Sequence, residues 1–142
     1  MPITRCSDQP SKTLAEFYSS IGLEASSEAV MLSVLDMIDS TFKRTEIYGL
    51  TSHTTLILLR EDSSWSPWYV KVYGSEGEYY IEYLLPPSKR PWSHAYVSGT
   101  AKSLPEFRDM LLIAMRESEG WLDCEELISL TSNLSQSKPD LQ

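Results

Sequence analysis

Residues 68–84 alternate between apolar and polar positions in the way that is typical of two adjacent β-strands. The runs WYVKVY and EYYIEYLL flank the turn sequence GSEG, and together they predict a β-hairpin. In the simplest register, Val72 lies opposite Tyr79 and Val70 opposite Ile81. One predicted face carries Trp68, Val70, Val72, Tyr79, Ile81 and Tyr83, and the other carries Tyr69, Lys71, Tyr73, Glu78, Tyr80 and Glu82. The first set is typical of a core, and the second of a contact surface.

Helical spacing of apolar residues predicts helices on both sides of these strands. We expect a first helix with an N-cap at Ser11 and an end at Gly22, and a second helix capped by Ser26 or Ser27. The second helix should bury one stripe of apolar side chains: Val30, Met31, Val34, Leu35, Ile38 and Phe42.

The segment Ser103 to Glu106 is the clearest local signal for a helix start. Serine at the N-cap with glutamate three residues later makes a capping box, and Pro105 suits the first turn. Gly120 is the expected end of this helix, and residues 122–130 are expected to add a short last helix.

Two further strands complete the predicted sheet. Residues 54–60 form a continuous apolar run that predicts the first of about four strands, and residues 93–98 predict a last strand that Gly99 ends. The order of elements predicts a single α+β domain over residues 1–142, with one antiparallel sheet and helices packed on one face. Residues 1–10 and 132–142 are expected to be flexible.

Charge and length narrow the classes of function. At 142 residues the chain fits one domain, and 12 basic against 20 acidic residues give a net charge of −8. Nucleic acid and anionic membranes would be repelled, so we expect neither as a partner and look first to a basic protein. The chain begins without the apolar segment of a signal peptide and has no run of about 18 apolar residues, so we expect a cytoplasmic protein.

Catalytic and cofactor-binding motifs are missing from the sequence. Cys6 and Cys124 stand far apart, as expected of two reduced thiols, and His53 and His94 lie outside any catalytic motif. The glycines fit turns and helix ends, so we expect no cofactor, no metal site and no enzyme.

The aromatic residues leave two interpretations open. In one, Trp65, Trp68, Tyr79, Tyr83 and Trp92 fill the core, and a helix or loop covers Tyr69, Tyr73 and Tyr80. In the other, those three tyrosines anchor a protein partner, which Lys71, Glu78 and Glu82 select by charge.

An acidic segment near the C-terminus is a second candidate surface. It contains Glu117, Glu119, Asp123, Glu125 and Glu126 within ten residues. These side chains are either solvated or mimic a polyanion that docks in the basic cleft of a nuclease or similar toxin.

The segment HAYVSGTAKSLPEFRDMLLIAMRESEGW, a predicted strand followed by a capped helix that ends near a tryptophan, resembles immunity proteins. The likeness is to the small immunity proteins of bacterial contact-dependent inhibition and polymorphic toxin systems, and it extends over residues 54–121. It implies an acidic cytosolic α+β domain that neutralises one cognate toxin without catalysis. Because such families diversify at the partner surface, the resemblance assigns a role to no particular residue.

Two other functions remain open. The segment TLAEFYSSIGLE resembles type III secretion chaperones, which are dimeric and hold an extended effector segment. A third possibility is a small-ligand carrier or unfamiliar enzyme with an aromatic pocket beneath Trp65, Trp68 and Trp92.

Overall fold

A mixed β-sheet of six strands forms the centre of the protein. The computed structural model describes residues 3–9, 12–20, 22, 25–75 and 77–137 of the chain. The strands lie in chain order across the sheet: β1 Ile3–Arg5, β2 Ile47–Ser52, β3 Thr55–Leu59, β4 Tyr69–Ser75, β5 Glu78–Leu84 and β6 Tyr96–Ala101. Four helices accompany them in the described part: α1 Leu14–Ser20, α2 Ala25–Thr41, α3 Leu104–Glu117 and α4 Glu125–Ser137. The predicted α+β class is confirmed.

The strand count and the direction of one strand differ from the prediction. The sheet has six strands rather than about four, and β1 runs parallel to β2. The sequence of strand β2 is typical of a turn, because Gly49, Thr51 and Ser52 interrupt its apolar positions. Strand β1 has only three residues, and the Ile3 N–H donates to Asp39 Oδ1 on α2 at 3.3 Å. Such long-range contacts leave no local sequence signal.

The central hairpin has the predicted faces but a different register. Val72 lies opposite Ile81 and Tyr73 opposite Tyr80, which is two residues away from the predicted pairing. The strands run to Ser75 and from Glu78, and Gly77 between them takes the left-handed φ of 77°. Since side chains alternate with a period of two, a shift of two residues leaves both faces intact.

Strand β6 begins and ends later than predicted. It runs from Tyr96 to Ala101, so Gly99 lies inside the strand rather than ending it. A Cβ at this position would lie 2.9 Å from Met110 Cε, so glycine here lets α3 approach the sheet.

The start of α3 is confirmed at the predicted residue, and the other helix ends differ in detail. Ser103 Oγ accepts a hydrogen bond from the Glu106 N–H at 3.3 Å, while the Glu106 carboxylate accepts from the Lys102 N–H. At the other end Glu119, not Gly120, takes the left-handed conformation, with φ of 67°. Gly120 instead allows Trp68 to pack closely against the backbone, since a Cβ at this position would lie 2.7 Å from Trp68 Cβ.

The first two helices are capped differently from the prediction. The predicted cap Ser11 lies outside the described residues, whereas Thr13 and Glu16 exchange two hydrogen bonds, of 3.0 and 3.1 Å, at the start of α1. Ser27 lies inside α2 rather than at its cap, and α4 extends beyond residue 130 to Ser137.

Helices α1, α2 and α3 each approach the sheet at a glycine. A Cβ at Gly49 would meet Leu14 of α1, a Cβ at Gly74 would meet Val30 of α2, and Gly99 meets Met110. The strand registers place these three glycines on one face of the sheet. That face also carries the buried side chains of Ile47, Leu56, Leu58, Val70, Val72 and Ile81. These strand residues belong to the same hydrophobic core cluster as Leu14 of α1, Met31 of α2 and Leu111 of α3.

No helix in the described part of the chain is both long enough and apolar enough to cross a bilayer.

We expect Gly74→Ala to lower the free energy of unfolding by about 1–3 kcal/mol, because the new methyl group overlaps Val30 Cγ1 and forces α2 away from β4. Urea denaturation measures the loss, and Val30→Ala in the same background should recover part of it. Ser75→Ala, one residue along β4 on the other face, is the control and should stay within about 0.5 kcal/mol. Equal effects at both positions would contradict the close-contact role of Gly74.

Candidate partner-binding surface

The candidate surface is the sheet face opposite the core, which we call the tyrosine face. On β4 and β5 it carries the six residues predicted from sequence: Tyr69, Lys71, Tyr73, Glu78, Tyr80 and Glu82. Five of these side chains are half-buried and Glu78 is exposed. The sheet therefore brings the predicted hairpin residues together on one face.

Glu82 links the neighbouring side chains of the tyrosine face. Its side chain is only 14% exposed, the Tyr80 hydroxyl donates to its Oε1 at 2.9 Å, and Lys71 Nζ lies 3.9 Å from its Oε2. The same ammonium group lies 5.3 Å from the centre of the Tyr69 ring, within cation–π range. These contacts hold two phenol rings and one cation in fixed positions.

Tyr69 and Tyr80 stay protonated at neutral pH. Burial raises the pKa of Tyr69, and the nearby Glu82 carboxylate raises it further. Burial also raises the pKa of Tyr80, together with its hydrogen bond to Glu82. Both groups therefore remain neutral hydrogen-bonding groups beside the charged side chains of Lys71 and Glu82.

Two members of the predicted set are less available than the others. Tyr73 packs partly against the core cluster. Glu78 forms an ion pair of 2.9 Å with Lys102, and both side chains are more than half exposed. Such exposed pairs contribute little to stability, so Glu78 can exchange its partner at small cost.

Three exposed aromatic residues outside the predicted set lie at the Tyr69 end of the sheet. Tyr96 is 57% exposed. It lies on the tyrosine face because Ser98 and Thr100, which share its side of β6, pair with Glu82 and Tyr80. Strand alternation in residues 96–101 is the signal that identifies it. Trp65 and Trp92 are 89% and 72% exposed, in the β3–β4 and β5–β6 loops, which both leave the Tyr69 end of the sheet. The interpretation that placed these two tryptophans in the core was wrong.

Both histidines occupy exposed turn positions. His53 and His94 have φ angles of 57° and 62°, a left-handed conformation in which histidine is enriched. No group of three or more His, Cys, Asp or Glu side chains within the described ranges has a metal-binding arrangement. Cys6 and Cys124 are both free thiols.

The acidic segment 117–126 is largely engaged within the chain. Glu117 pairs with Arg116 at 2.8 Å, Glu119 with Lys89 at 3.2 Å, and Asp123 with Arg60 at 3.1 Å. Of its five carboxylates, Glu125 and Asp123 belong to exposed residues. A partner-binding role for this segment stays a prediction.

Glu126 anchors the loop between α2 and β2. Its carboxylate accepts hydrogen bonds from the backbone N–H groups of Lys43, Arg44 and Thr45 and from the Thr45 hydroxyl, at 2.7–3.0 Å. Burial opposes ionisation, but the four hydrogen bonds outweigh it and lower the pKa of Glu126 to about 2. This residue stabilises the fold.

Cavities occur away from the predicted aromatic pocket. A largely apolar cavity of about 610 Å³ lies among β1, α1 and α2, lined in part by Ile3, Leu14 and Leu35. A cleft of about 410 Å³ contains Trp68 beside Arg60 and Gly120. Because Trp65 and Trp92 are exposed, the pocket predicted beneath the three tryptophans is not formed by these residues together.

Comparison with known proteins finds no relative of this chain: no protein-family model, no curated protein and no solved structure matches it.

We expect Glu126→Ala to lower the free energy of unfolding by about 2–3 kcal/mol more than Glu125→Ala. The two glutamates share the first turn of α4, so both variants lose the same helix-dipole interaction, but only the first leaves three backbone N–H groups without an acceptor. Urea denaturation at pH 7 measures the difference, and equal losses would argue against the anchor.

The contribution of Glu126 should depend on pH. Because the folded pKa lies below the ordinary value of 4.5, its stabilisation is complete above about pH 4.5 and is lost as the pH falls towards 2. The gap in unfolding free energy between wild type and Glu126→Ala should therefore shrink across this range. Denaturation curves at pH 7, 4.5 and 3 measure the gap; a constant gap would contradict the depressed pKa.

Proposed function

We propose that this protein binds a basic protein through the tyrosine face and inhibits it by occupancy, as an immunity protein does with its cognate toxin. The observation that carries the proposal is a linked group on the sheet face opposite the core, in which Glu82 accepts from the half-buried Tyr80 and pairs with Lys71, and Lys71 lies over the half-buried Tyr69 ring. The close contacts that α1, α2 and α3 make at Gly49, Gly74 and Gly99 all lie on the core face of the sheet, which supports a tyrosine face left free for a partner.

The composition of the surface favours protein recognition. Tyrosine supplies a large contact area at low entropic cost, and tyrosines are enriched among the residues that dominate binding energy at interfaces. Tyr69, Tyr80 and Tyr96 would supply apolar contacts, while their hydroxyls and Lys71 would supply hydrogen bonds. The contacts to Glu82 hold Tyr80 and Lys71 in place before binding, which would reduce the entropy lost on association.

The net charge of −8 favours a basic partner. Because most acids of the segment 117–126 are paired within the chain, the attraction would come from the whole molecule rather than from one patch. Such a field increases the association rate and selects among partners, more than it adds to final affinity. Binding of the basic partner would take place in the cytoplasm and would involve neither nucleic acid nor membrane.

Inhibition would be stoichiometric and would require no chemistry. One copy of the protein covers one toxin domain, and activity returns only when the complex dissociates. The rate of dissociation would therefore set the duration of protection.

We expect a stable complex with the product of the adjacent gene, and we expect Tyr80→Ala to weaken it by about tenfold or more, because the ring and its hydroxyl both leave the interface. Glu78→Ala should slow association with a smaller effect on dissociation, since its carboxylate is exposed. Biolayer interferometry measures both rates, and survival of toxin-expressing cells measures protection.

Asp36→Ala is the charge-matched control for Glu78→Ala, since Asp36 is an exposed acid on α2. It should bind and protect like wild type. Circular dichroism confirms that each variant is folded. The proposal fails if no complex forms, or if the variants of Tyr80, Glu78 and Asp36 bind alike.

A further inference from the structure

Within the described ranges, the outer edge of β6 offers backbone groups that pair with no other strand. Among the described strands β6 is the last of the sheet, and its one strand partner is β5. The Leu85 N–H donates to the Ala95 carbonyl at 3.1 Å, and hydrogen-bonded pairs alternate in an antiparallel ladder. The backbone groups of Val97, Gly99 and Ala101 therefore point to β5. Those of Tyr96, Ser98 and Thr100 point outward.

This edge lacks the usual protection against strand pairing. The sequence YVSGTA contains no charged residue and no proline across six residues. The opposite edge strand, β1, has three residues and ends in Arg5, whose guanidinium group donates to Thr51 Oγ1 on β2 at 2.9 Å. A short edge strand that ends in a charged residue resists pairing with another chain. Strand β6 is longer and uncharged, so it has neither form of protection.

An apolar groove runs beside the β6 edge. It has a volume of about 250 Å³ and lies between the last two strands and α3, with Val97, Met110 and Ile113 among its lining residues. Gly99 forms part of its wall, close to the Met110 methyl group. A strand added to β6 would direct every second side chain to the face of the sheet on which this groove lies.

We propose that β6 binds an extended segment of the partner protein by β-strand addition, with alternate apolar side chains of the segment in the groove beside α3. Tyr96, Ser98 and Thr100 would supply the backbone hydrogen bonds, and Met110 and Ile113 would select the side chains. This inference rests on the proposed function, because it specifies how the inhibited protein is held at the border of the tyrosine face.

The net charge of the molecule favours a basic segment over a second copy of this chain. Glu106, Asp109 and Glu117 lie on the same side of α3 as Met110 and Ile113, at helical spacings of three and four residues. Arg108 pairs with Asp109 and Arg116 with Glu117, so the local acidic excess beside the groove is small and the attraction for a basic segment comes mainly from the whole molecule. Two copies joined at β6 would bring the two α3 helices and two net charges of −8 together. A partner segment with lysine or arginine between its apolar positions would be attracted by the negative charge of this chain rather than repelled.

A displayed library of random peptides of about ten residues tests the proposal, since that length spans the six residues of β6. Selection on the wild-type protein should enrich peptides with alternating apolar residues and added Lys or Arg. Ser98→Pro should weaken the selected peptides by about tenfold, because it removes an outward N–H and leaves the ladder to β5 intact. Ser98→Ala, which keeps the N–H, should bind like wild type.

A second pair of variants tests the groove separately. Ile113→Lys should also weaken the selected peptides by about tenfold, whereas Ile128→Lys, at a 53% exposed position on α4, should not. Thermal unfolding checks that all variants remain folded.

Three outcomes would overturn the inference: no enriched peptide, peptides that bind all variants alike, or a wild-type dimer that Ser98→Pro abolishes. The last result would assign the edge to a second copy. Because the selection needs no toxin, its failure is distinguishable from failure of the Tyr80 experiment.

Discussion

The close approach of helices to the sheet at glycines is the constraint on which the rest of the structure depends. At Gly74 and Gly99 no side chain separates the strand from α2 or α3, so Val30 and Met110 reach the backbone itself. This contact buries the apolar residues of β3, β4 and β5 on one side and closes the core there. The polar and aromatic residues that alternate with them must then take the other side. The core and the candidate binding surface are thus two results of the same strand pattern.

Charge in this molecule has two separate roles. Glu126 and Glu82 are acids whose carboxylates are largely committed to neighbours, one holding the loop before β2 and the other holding Tyr80 and Lys71. Exposed acids such as Glu125 contribute to the field around the protein without a fixed contact. A cluster of acids in sequence therefore does not measure the charge offered to a partner, because pairing across the fold decides which carboxylates remain exposed.

Local patterns predicted the parts of the fold that local physics controls. The capping box at Ser103 and the alternation through the hairpin each identified an element, because cap hydrogen bonds and side-chain alternation are properties of short segments. Strand β1 escaped prediction because it pairs with residues more than 40 positions away. Strand β2 escaped it because Gly49, Thr51 and Ser52 interrupt its apolar positions, although its pairing with β3 is local. For the candidate surface, alternation placed six residues on one face, but the exposure of Trp65 and Trp92 depends on loops whose course the sequence pattern does not specify.

The uneven burial of the four tryptophans makes the protein its own optical reporter. Trp121 is fully buried, whereas Trp65 and Trp92 stand in solvent at the Tyr69 end of the sheet. A water-soluble quencher such as iodide therefore reaches the two exposed indoles and leaves the buried one emitting. A macromolecule bound over that end of the sheet would shield Trp65 and Trp92 from iodide. Its binding could therefore be measured in the unlabelled protein as a decrease in the quenching of tryptophan fluorescence.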